Sequence, residues 1–226
     1  IMNIGIIVAM NKELNLLLPL LENHQSTTVE NTTFHTGTLD HHKITIMQCG
    51  IGKVNAAIGT YMMLEHNNID LIINTGVAGG AGGRVKVMDV VAGAKVAYHD
   101  VYCGPETNPG EIQGLPKFFT AAEDIINKLP ESDNLHKGLI CSGDQFIDTK
   151  EQLNKITSLY PDALAVDMES AAIAHTCFLK KVPFLSMRII SDSPGASQNN
   201  ALQYNDFWED APKRSFNIIH ELIKAL

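Results

Sequence analysis

The chain has 226 residues, of which 45% are hydrophobic and 19% are charged. This size and composition exclude a peptide, a small disulfide-stabilised scaffold and a mainly disordered chain, and they predict one globular domain over residues 1–226. The 17 basic and 25 acidic residues give a net charge of -8, which argues against nucleic acid or an anionic membrane surface as a partner.

Short β-rich runs alternate with longer helical patterns along the chain, as is typical of α/β proteins. In chain order, the patterns predict a strand over 3–9, a helix over 11–21, a strand over 43–49, a helix over 54–66, strands over 70–75 and 89–97, a helix over 117–129, a strand over 137–141, a helix over 149–159, a strand over 163–166, a helix over 168–181, a strand over 183–191 and a helix from about Asp206. Two polar, turn-rich segments, 102–116 and 193–200, are interpreted as functional loops.

The first residues of the sequence bear on the location of the protein. The run MNIGII at Met2 lacks the basic and long apolar parts of a signal peptide or a membrane span, so we expect a cytoplasmic protein.

The four cysteines are widely spaced, with neither a C-x-x-C pair nor an H-E-x-x-H helix in the sequence. We therefore expect buried free thiols and no bound metal.

Polar motifs follow five of the predicted strands at their carboxyl ends. They are MNKE from Met10, NTGVAGG from Asn74, SGDQF from Ser142, DMES from Asp167 and SDSP from Ser191. In an open, largely parallel sheet the ligand crevice lies outside the carboxyl ends of the strands. We therefore predict that these separate segments meet along one rim.

Several acidic residues in these motifs have a structural interpretation as well as a functional one. Glu13 falls in the first turn of a predicted helix, and Asp167 and Glu169 flank the start of another, where acids commonly cap or stabilise helices. Taken singly, each of these three acids is better explained by a structural role. Asp192 ends an apolar run and precedes Ser-Pro-Gly, so a functional role and a structural role are equally open for it.

The glycine-rich and aromatic parts of the motifs leave further alternatives. The segment 76–83 matches neither G-x-G-x-x-G nor G-x-x-x-x-G-K-[ST], which argues against dinucleotide or nucleotide triphosphate binding. Close approach of its backbone to a ligand stays open. Phe146 is interpreted either as a core aromatic or as a platform for a planar ring, with the backbone of Ile147 beside it. His99 and Asp100 come without a nucleophile motif, which disfavours triad chemistry.

Seven segments, in order, resemble the bacterial 5′-methylthioadenosine/S-adenosylhomocysteine nucleosidases of the purine nucleoside phosphorylase superfamily. They are GIIVAMNKE, CGIGKVNAA, IINTGVAGG, VAYHDV, SGDQFID, AVDMES and RIISDSPG, and together they extend over nearly the whole chain. The resemblance implies a single-domain, three-layer α/β fold with a central mixed twisted sheet flanked by helices, assembled as a homodimer. It also implies a hydrolase without cofactor or metal that releases adenine and a thioribose from 5′-thioadenosines, in methionine and purine recycling.

The resemblance also implies roles for individual residues. Asp192 resembles the general acid that protonates N7 of adenine, and Glu13 resembles the carboxylate that activates the attacking water. Glu169 resembles the acid that holds the ribose hydroxyls, with Met168 against the sugar and Phe146 stacked on adenine. The remaining implied substrate-binding positions are Ile147, Gly79, Met10, Val77, Ala78, Ser191 and Tyr204. These residue types suit the reaction, because cleaving an N-glycosidic bond places positive charge on the sugar and negative charge on the base.

Two positions depart from the family pattern. Val77 stands where many members carry a serine, so a hydroxyl that supports the acid or the nucleophile is either dispensable or supplied by Ser191. The loop 101–116 lacks most of the aromatic residues that cover the 5′ group in many relatives. Tyr204 and Phe207 are candidates for that cover.

Two other functions stay open at this point. A phosphate-dependent nucleoside phosphorylase needs cations beside the ribose, where the motifs offer Glu13 and the nearest arginines in sequence are Arg84 and Arg188. A non-catalytic nucleoside-binding module does not need both the acid and the water-activating group, and both Asp192 and Glu13 are present. We favour hydrolysis over both alternatives.

Overall fold

The computed structural model describes residues 1–195, 202, 204, 205, 207, 208 and 212–226, with the backbone alone described at 212–216. In chain order its elements are β1 (Asn3–Val8), α1 (Asn11–Leu17), a 3-10 turn (Leu18–Leu20), β2 (Glu22–Val29), β3 (Thr32–Leu39), β4 (His42–Gln48), α2 (Lys53–His66), β5 (Leu71–Gly80), β6 (Val90–Tyr98), β7 (Phe119–Thr120), α3 (Glu123–Ile126), β8 (Leu135–Ser142), α4 (Lys150–Leu159), β9 (Ala163–Asp167), α5 (Ser170–Lys180), β10 (Phe184–Asp192) and α6 (Pro212–Ala225). No helix among these residues is long and apolar enough to cross a membrane.

The strands form one mixed sheet in the order β10-β6-β8-β9-β5-β1-β4-β3-β2, with β7 added beside β6. One parallel block contains β4, β1, β5 and β10, and a second contains β6, β8 and β9. The two blocks run in opposite directions and join twice, at the antiparallel pairs β10–β6 and β5–β9. Strands β5, β10, β6, β8 and β9 therefore close into a ring, from which β1 to β4 extend.

Helices cover both faces of this sheet. Along β1, Ile6 packs in a core with Leu14 of α1 and Leu222 of α6, whereas its neighbour Ile7 packs in a second core with Met63 of α2. Because successive side chains of a strand point to opposite faces, a strand buried on both faces is apolar throughout. The predicted α/β fold with a mixed sheet flanked by helices is confirmed.

Most predicted elements are confirmed with ends shifted by a few residues, but the helix predicted over 117–129 is wrong. Phe119–Thr120 instead pairs with β6, where Phe119 lies opposite Val96, and only Glu123–Ile126 is α-helical. Phe119 is buried and stacks on the ring of His175. Pairing with β6 and burial of one aromatic ring therefore override the local helical pattern.

The sequence patterns also missed the hairpin of β2 and β3. Strand β2 is polar and exposed along nearly its whole length, so it carries no apolar alternation, and its backbone pairs with β3 at the edge of the sheet. The predicted start of the last helix at Asp206 and the predicted loop residues 196–200 lie outside the described residues, and α6 is described from Pro212.

Candidate active site

One cleft, with a cavity volume of about 100 Å³, collects the carboxyl ends of β1, β5, β8, β9 and β10. All twelve site residues proposed from the sequence line it, namely Met10, Glu13, Val77, Ala78, Gly79, Phe146, Ile147, Met168, Glu169, Ser191, Asp192 and Tyr204. The structure adds Ala9, Ile51, Gln145, Val166 and Asp167 to this lining. The predicted meeting of the polar motifs is therefore confirmed.

The motifs converge because the strands close into a ring, and not because they lie at one edge of an open parallel sheet, as the sequence predicted. Asp192 lies opposite Gly79 in the β10–β5 pair, and Gly79 lies opposite Val166 in the β5–β9 pair. Asp167 then lies opposite Ser142 in the β9–β8 pair. The short antiparallel contact between β5 and β9 thus joins strand ends from the two parallel blocks, and it is ring closure that builds the cleft.

Glu13 is held in the first turn of α1 by three backbone N–H groups. Its Oε2 accepts hydrogen bonds from the amides of Ala9 and Met10, both at 2.9 Å, and its Oε1 accepts from the amide of Val77 at 3.1 Å. The side chain is buried although it lines the cleft. The helix-stabilising and functional interpretations of Glu13 therefore describe the same arrangement, since the bonds that start α1 also orient the carboxylate.

The surroundings of Glu13 favour a proton acceptor. Burial raises the pKa of its carboxyl group, while the positive charge of Arg188 and the three amide N–H groups act in the opposite direction. A Cβ atom on Gly76 would lie 2.5 Å from both Arg188 Nη1 and Glu13 Oε1, so the missing side chain lets these groups approach each other. A carboxylate with a raised pKa and a fixed orientation is suited to general base catalysis.

Glu169 lies at the start of α5, but its side chain does not cap that helix. Instead Oε1 accepts a hydrogen bond at 3.0 Å from the amide of Gly52 at the start of α2, and Oε2 lies 3.5 Å from Arg188 Nη2. Burial raises the pKa of Glu169 to about 7, with Arg188 lowering it and Asp167 raising it. The capping interpretation thus fails for Glu169, whose carboxylate faces the cleft.

The side chain of Arg188 lies next to the carboxylate of Glu169 and is fully buried. Its Nε is 2.7 Å from Asp167 Oδ2, and its Nη2 donates to Asn74 Oδ1 at 2.7 Å. Asp167 also accepts from the amide of Ser170 at 3.2 Å, as a capping acid does. The predicted capping role of Asp167 is therefore confirmed, and the ion pair with Arg188 is an addition to it.

Arg188 and Gly52 are not among the site residues predicted from the sequence. A signal for Arg188 was present, because an arginine inside the apolar run FLSMRII must be buried and therefore needs a buried acid. No comparable signal marks Gly52, whose bond to Glu169 joins residues 117 positions apart.

Asp192 and Ser191 both reach the cleft from the end of β10. The β10–β5 register shifts between Ile190 and Asp192, an irregularity that turns successive side chains toward the same side. Ser191 Oγ donates to Asp192 Oδ1 at 2.6 Å and lies 3.3 Å from the carbonyl oxygen of Ala78. Both residues are buried, so Ser191 supplies a hydroxyl to Asp192 where Val77 cannot.

Aromatic side chains form another wall of the cleft. Phe146 is 49% exposed, unlike a core aromatic, and the ring of Tyr204 meets it edge to face at a centroid distance of 6.0 Å. The Tyr204 hydroxyl lies 3.4 Å from Met10 Sδ, whereas Ile147 is buried beside Phe146. Phe207 is buried in the hydrophobic core, so the prediction that it covers the cleft is wrong.

Comparison with known proteins agrees with this fold. The family model described as the phosphorylase superfamily matches residues 3–224. The chain therefore belongs to the phosphorylase superfamily.

Solved structures narrow the family further. The chain is 34% identical to the 5′-methylthioadenosine/S-adenosylhomocysteine nucleosidase from S. pneumoniae with the transition-state inhibitor MT-ImmA, over 99% of both chains, with a TM-score of 0.93. It is 32% identical to the nucleosidase of that name from Neisseria meningitidis in complex with methylthio-immucillin-A, over all of both chains, with a TM-score of 0.94. A futalosine hydrolase mutant of Helicobacter pylori is 26% identical over all of both chains, with a TM-score of 0.91. Within the superfamily, this chain is an enzyme of the 5′-methylthioadenosine/S-adenosylhomocysteine nucleosidase family.

Proposed function

We propose that the protein hydrolyses the N-glycosidic bond of 5′-methylthioadenosine and S-adenosylhomocysteine, releasing adenine and 5-methylthioribose or S-ribosylhomocysteine. The observation that carries the proposal is a single cleft containing the buried carboxyl groups of Glu13 and Asp192 and the half-exposed ring of Phe146. Acidic groups flanking a glycosidic bond and an aromatic surface for a planar base are what this reaction requires.

On the base side, Asp192 acts as the general acid. Phe146 stacks on adenine, the backbone of Ile147 hydrogen-bonds its edge, and Asp192 transfers a proton to N7 so that a neutral base leaves. Ser191 donates a hydrogen bond to Oδ1 of Asp192, which fixes the orientation of this carboxyl group in the cleft. Proton transfer by a positioned acid typically contributes about 10²- to 10⁴-fold to the rate.

On the sugar side, two buried carboxylates face the positive charge that develops on the ribose. Glu169 is oriented by the amide of Gly52 and accepts hydrogen bonds from the ribose hydroxyls, with Met168 packed against the ring. Glu13 takes a proton from water as the water oxygen bonds to C1′. Fixed negative charge in a buried site stabilises a cationic transition state strongly, because no solvent has to reorganise during the reaction.

The charges of the cleft favour water over phosphate as the nucleophile. No lysine or arginine is among the described residues that line the cleft. The charge of the Arg188 guanidinium is neutralised by its ion pair with Asp167. Arg84 does not line the cleft, and its guanidinium donates to the carbonyl oxygens of Pro161 and Ala163. An anionic Glu13 beside the sugar would repel phosphate, which supports hydrolysis over phosphorolysis.

Adenine release measured in phosphate-free buffer tests this proposal directly. We expect release from both 5′-methylthioadenosine and S-adenosylhomocysteine at rates that added phosphate leaves unchanged, because water is the nucleophile. Release that requires phosphate would make the protein a phosphorylase and remove Glu13 as the water activator. Binding of the nucleosides without any release would instead indicate a non-catalytic binding module.

The proposal includes a homodimer, and an exposed apolar face of α2 supports it. Val54, Ile58 and Tyr61 recur at intervals of four and three residues, which places them on one side of the helix, and each is about half or more exposed. Ile51 is exposed just before the helix. A contiguous exposed apolar patch commonly marks a protein contact surface.

The variant Ile58→Glu is expected to convert the dimer to monomer, because it places a charge in the centre of the apolar patch. Light scattering coupled to gel filtration measures the mass of each form. Asn154→Glu, which adds the same charge at an exposed position of α4, serves as the matched control and should stay dimeric. A wild-type monomer, or a dimeric Ile58→Glu variant, would contradict this assembly.

Three wider parts of the proposal concern the whole protein rather than the site. We propose that residues 1–226 form one nucleosidase domain, which the match over residues 3–224 supports. The cytoplasmic location expected from the sequence stays a prediction. So does the use of the products in methionine and purine recycling.

A further inference from the structure

The carboxylate of Asp167 lies beneath the floor of the cleft, where donors from three elements converge on it. Ser142 Oγ at the end of β8 donates to Oδ1 at 2.5 Å. The amide and hydroxyl of Ser170 in α5 donate to Oδ2, and Arg188 Nε from β10 lies 2.7 Å from the same oxygen. The Asp167 side chain is 1% exposed. A buried carboxylate with donors to both oxygens is well satisfied as an anion.

The distances around Arg188 show how its charge is distributed. Its guanidinium is 2.7 Å from Asp167 but 3.5 Å from Glu169, so Asp167 is the nearer anion. Glu169 keeps its other oxygen on the amide of Gly52. A buried guanidinium without a close anion is strongly unfavourable, so removing the charge of Asp167 would draw Arg188 toward Glu169.

We propose that Asp167 is a positioning residue for catalysis, which holds Arg188 so that the guanidinium orients Glu169 and Glu13 without pairing tightly with either. This inference rests on the proposed function, because Glu169 and Glu13 are the groups that serve the ribose and the water. Asp167 itself acts through Arg188, and the direct contacts with the ribose are assigned to Glu169. The alternative is that Asp167 only caps α5 and completes a buried polar network.

Separate measurements on the sugar side and the base side of the cleft distinguish a positioning role of Asp167 from a purely structural one. Asp167→Asn should lower kcat/KM for 5′-methylthioadenosine by about 10²-fold, the scale expected when a reacting group is misplaced by about 1 Å. The affinity for free adenine should stay unchanged, because the donors to the Asp167 carboxylate are Ser142, Ser170 and Arg188, and none of these is assigned to the base. A variant that merely damaged the fold would lose both.

The pH profile provides a second readout that a purely structural role would not move. Within the described part of the chain, the charged or titratable groups that interact with Glu169 are Arg188, Asp167, Glu13, Cys49 and Tyr204. The negative charge of Asp167 raises the pKa of Glu169, so an asparagine there lowers it. Because ionised Glu169 accepts the ribose hydroxyls, the acidic limb of kcat/KM should move to lower pH in Asp167→Asn.

Two serine variants complete the experiment. Ser142→Ala removes one bond to Asp167 but keeps every charge, so it should lower kcat/KM less than Asp167→Asn does and leave adenine affinity intact. Ser186→Ala is the matched control, because its buried hydroxyl contacts Ser170 and Asn74 but makes no bond to Asp167.

Each outcome bears on one proposal. A wild-type protein that does not hydrolyse 5′-methylthioadenosine would overturn the proposed function. An active wild type together with an Asp167→Asn variant that matches Ser186→Ala, or that loses adenine affinity in parallel with turnover, would overturn the positioning role. If Asp167→Asn does not fold, Ser142→Ala decides the question, and equality with Ser186→Ala would overturn the inference.

Discussion

Asp192→Asn is expected to lower kcat for 5′-methylthioadenosine by about 10²- to 10⁴-fold while nucleoside binding stays measurable. Asparagine keeps the shape of the side chain, and its carbonyl oxygen can still accept the hydrogen bond that Ser191 donates. Its amide cannot transfer a proton to N7, so adenine would have to leave as an anion. Single-turnover adenine release measures the chemical step, and calorimetry with a non-hydrolysable nucleoside analogue measures binding.

Asp162→Asn is the matched control for this variant. The Asp162 side chain is 92% exposed and lies 3.7 Å from Arg84, outside the residues that line the cleft. It should therefore keep wild-type turnover. Near-full activity in Asp192→Asn would remove Asp192 as the general acid. Loss of analogue binding together with turnover would show that the substitution damages the cleft rather than the proton transfer.

Glu13→Gln is the second variant with a large expected effect, a decrease in kcat of about 10²- to 10⁴-fold. A glutamine amide cannot take a proton from water. It also carries only one acceptor oxygen, which the amides of Ala9 and Met10 would use, leaving the N–H of Val77 facing an NH2 group. That buried mismatch should cost about 1–3 kcal/mol of stability in addition to the loss of the base.

The kinetic and thermal readouts of Glu13→Gln separate these two effects. Stopped-flow adenine release reports the catalytic loss, and thermal unfolding reports the stability loss. Glu22→Gln, an exposed substitution of the same type in β2, should change neither. Undiminished kcat in Glu13→Gln would show that another group activates the water, even if the protein were destabilised.

The buried strands and the composition of the cleft could be predicted from the sequence because both depend on local patterns. Apolar runs such as GIIVA at β1 are continuous because both faces of the strand are covered, and a polar motif follows where the covering ends. The polar edge hairpin of β2 and β3 and the pairing of Phe119 with β6 have no such pattern. They depend on backbone bonds to strands that lie elsewhere in the chain.

The sequence by itself determined that polar motifs follow the strands, and it predicted which of their residue types would serve the proposed chemistry. Only the tertiary structure decided how they are held, because the holding contacts join residues far apart in the chain. The amide of Gly52 orients Glu169, which lies 117 positions away in the chain. The β5–β9 contact closes the ring of strands, and the register shift before Asp192 directs the side chains of Ser191 and Asp192 toward the same cleft. A local pattern cannot encode such contacts, since they form only when the whole sheet has folded.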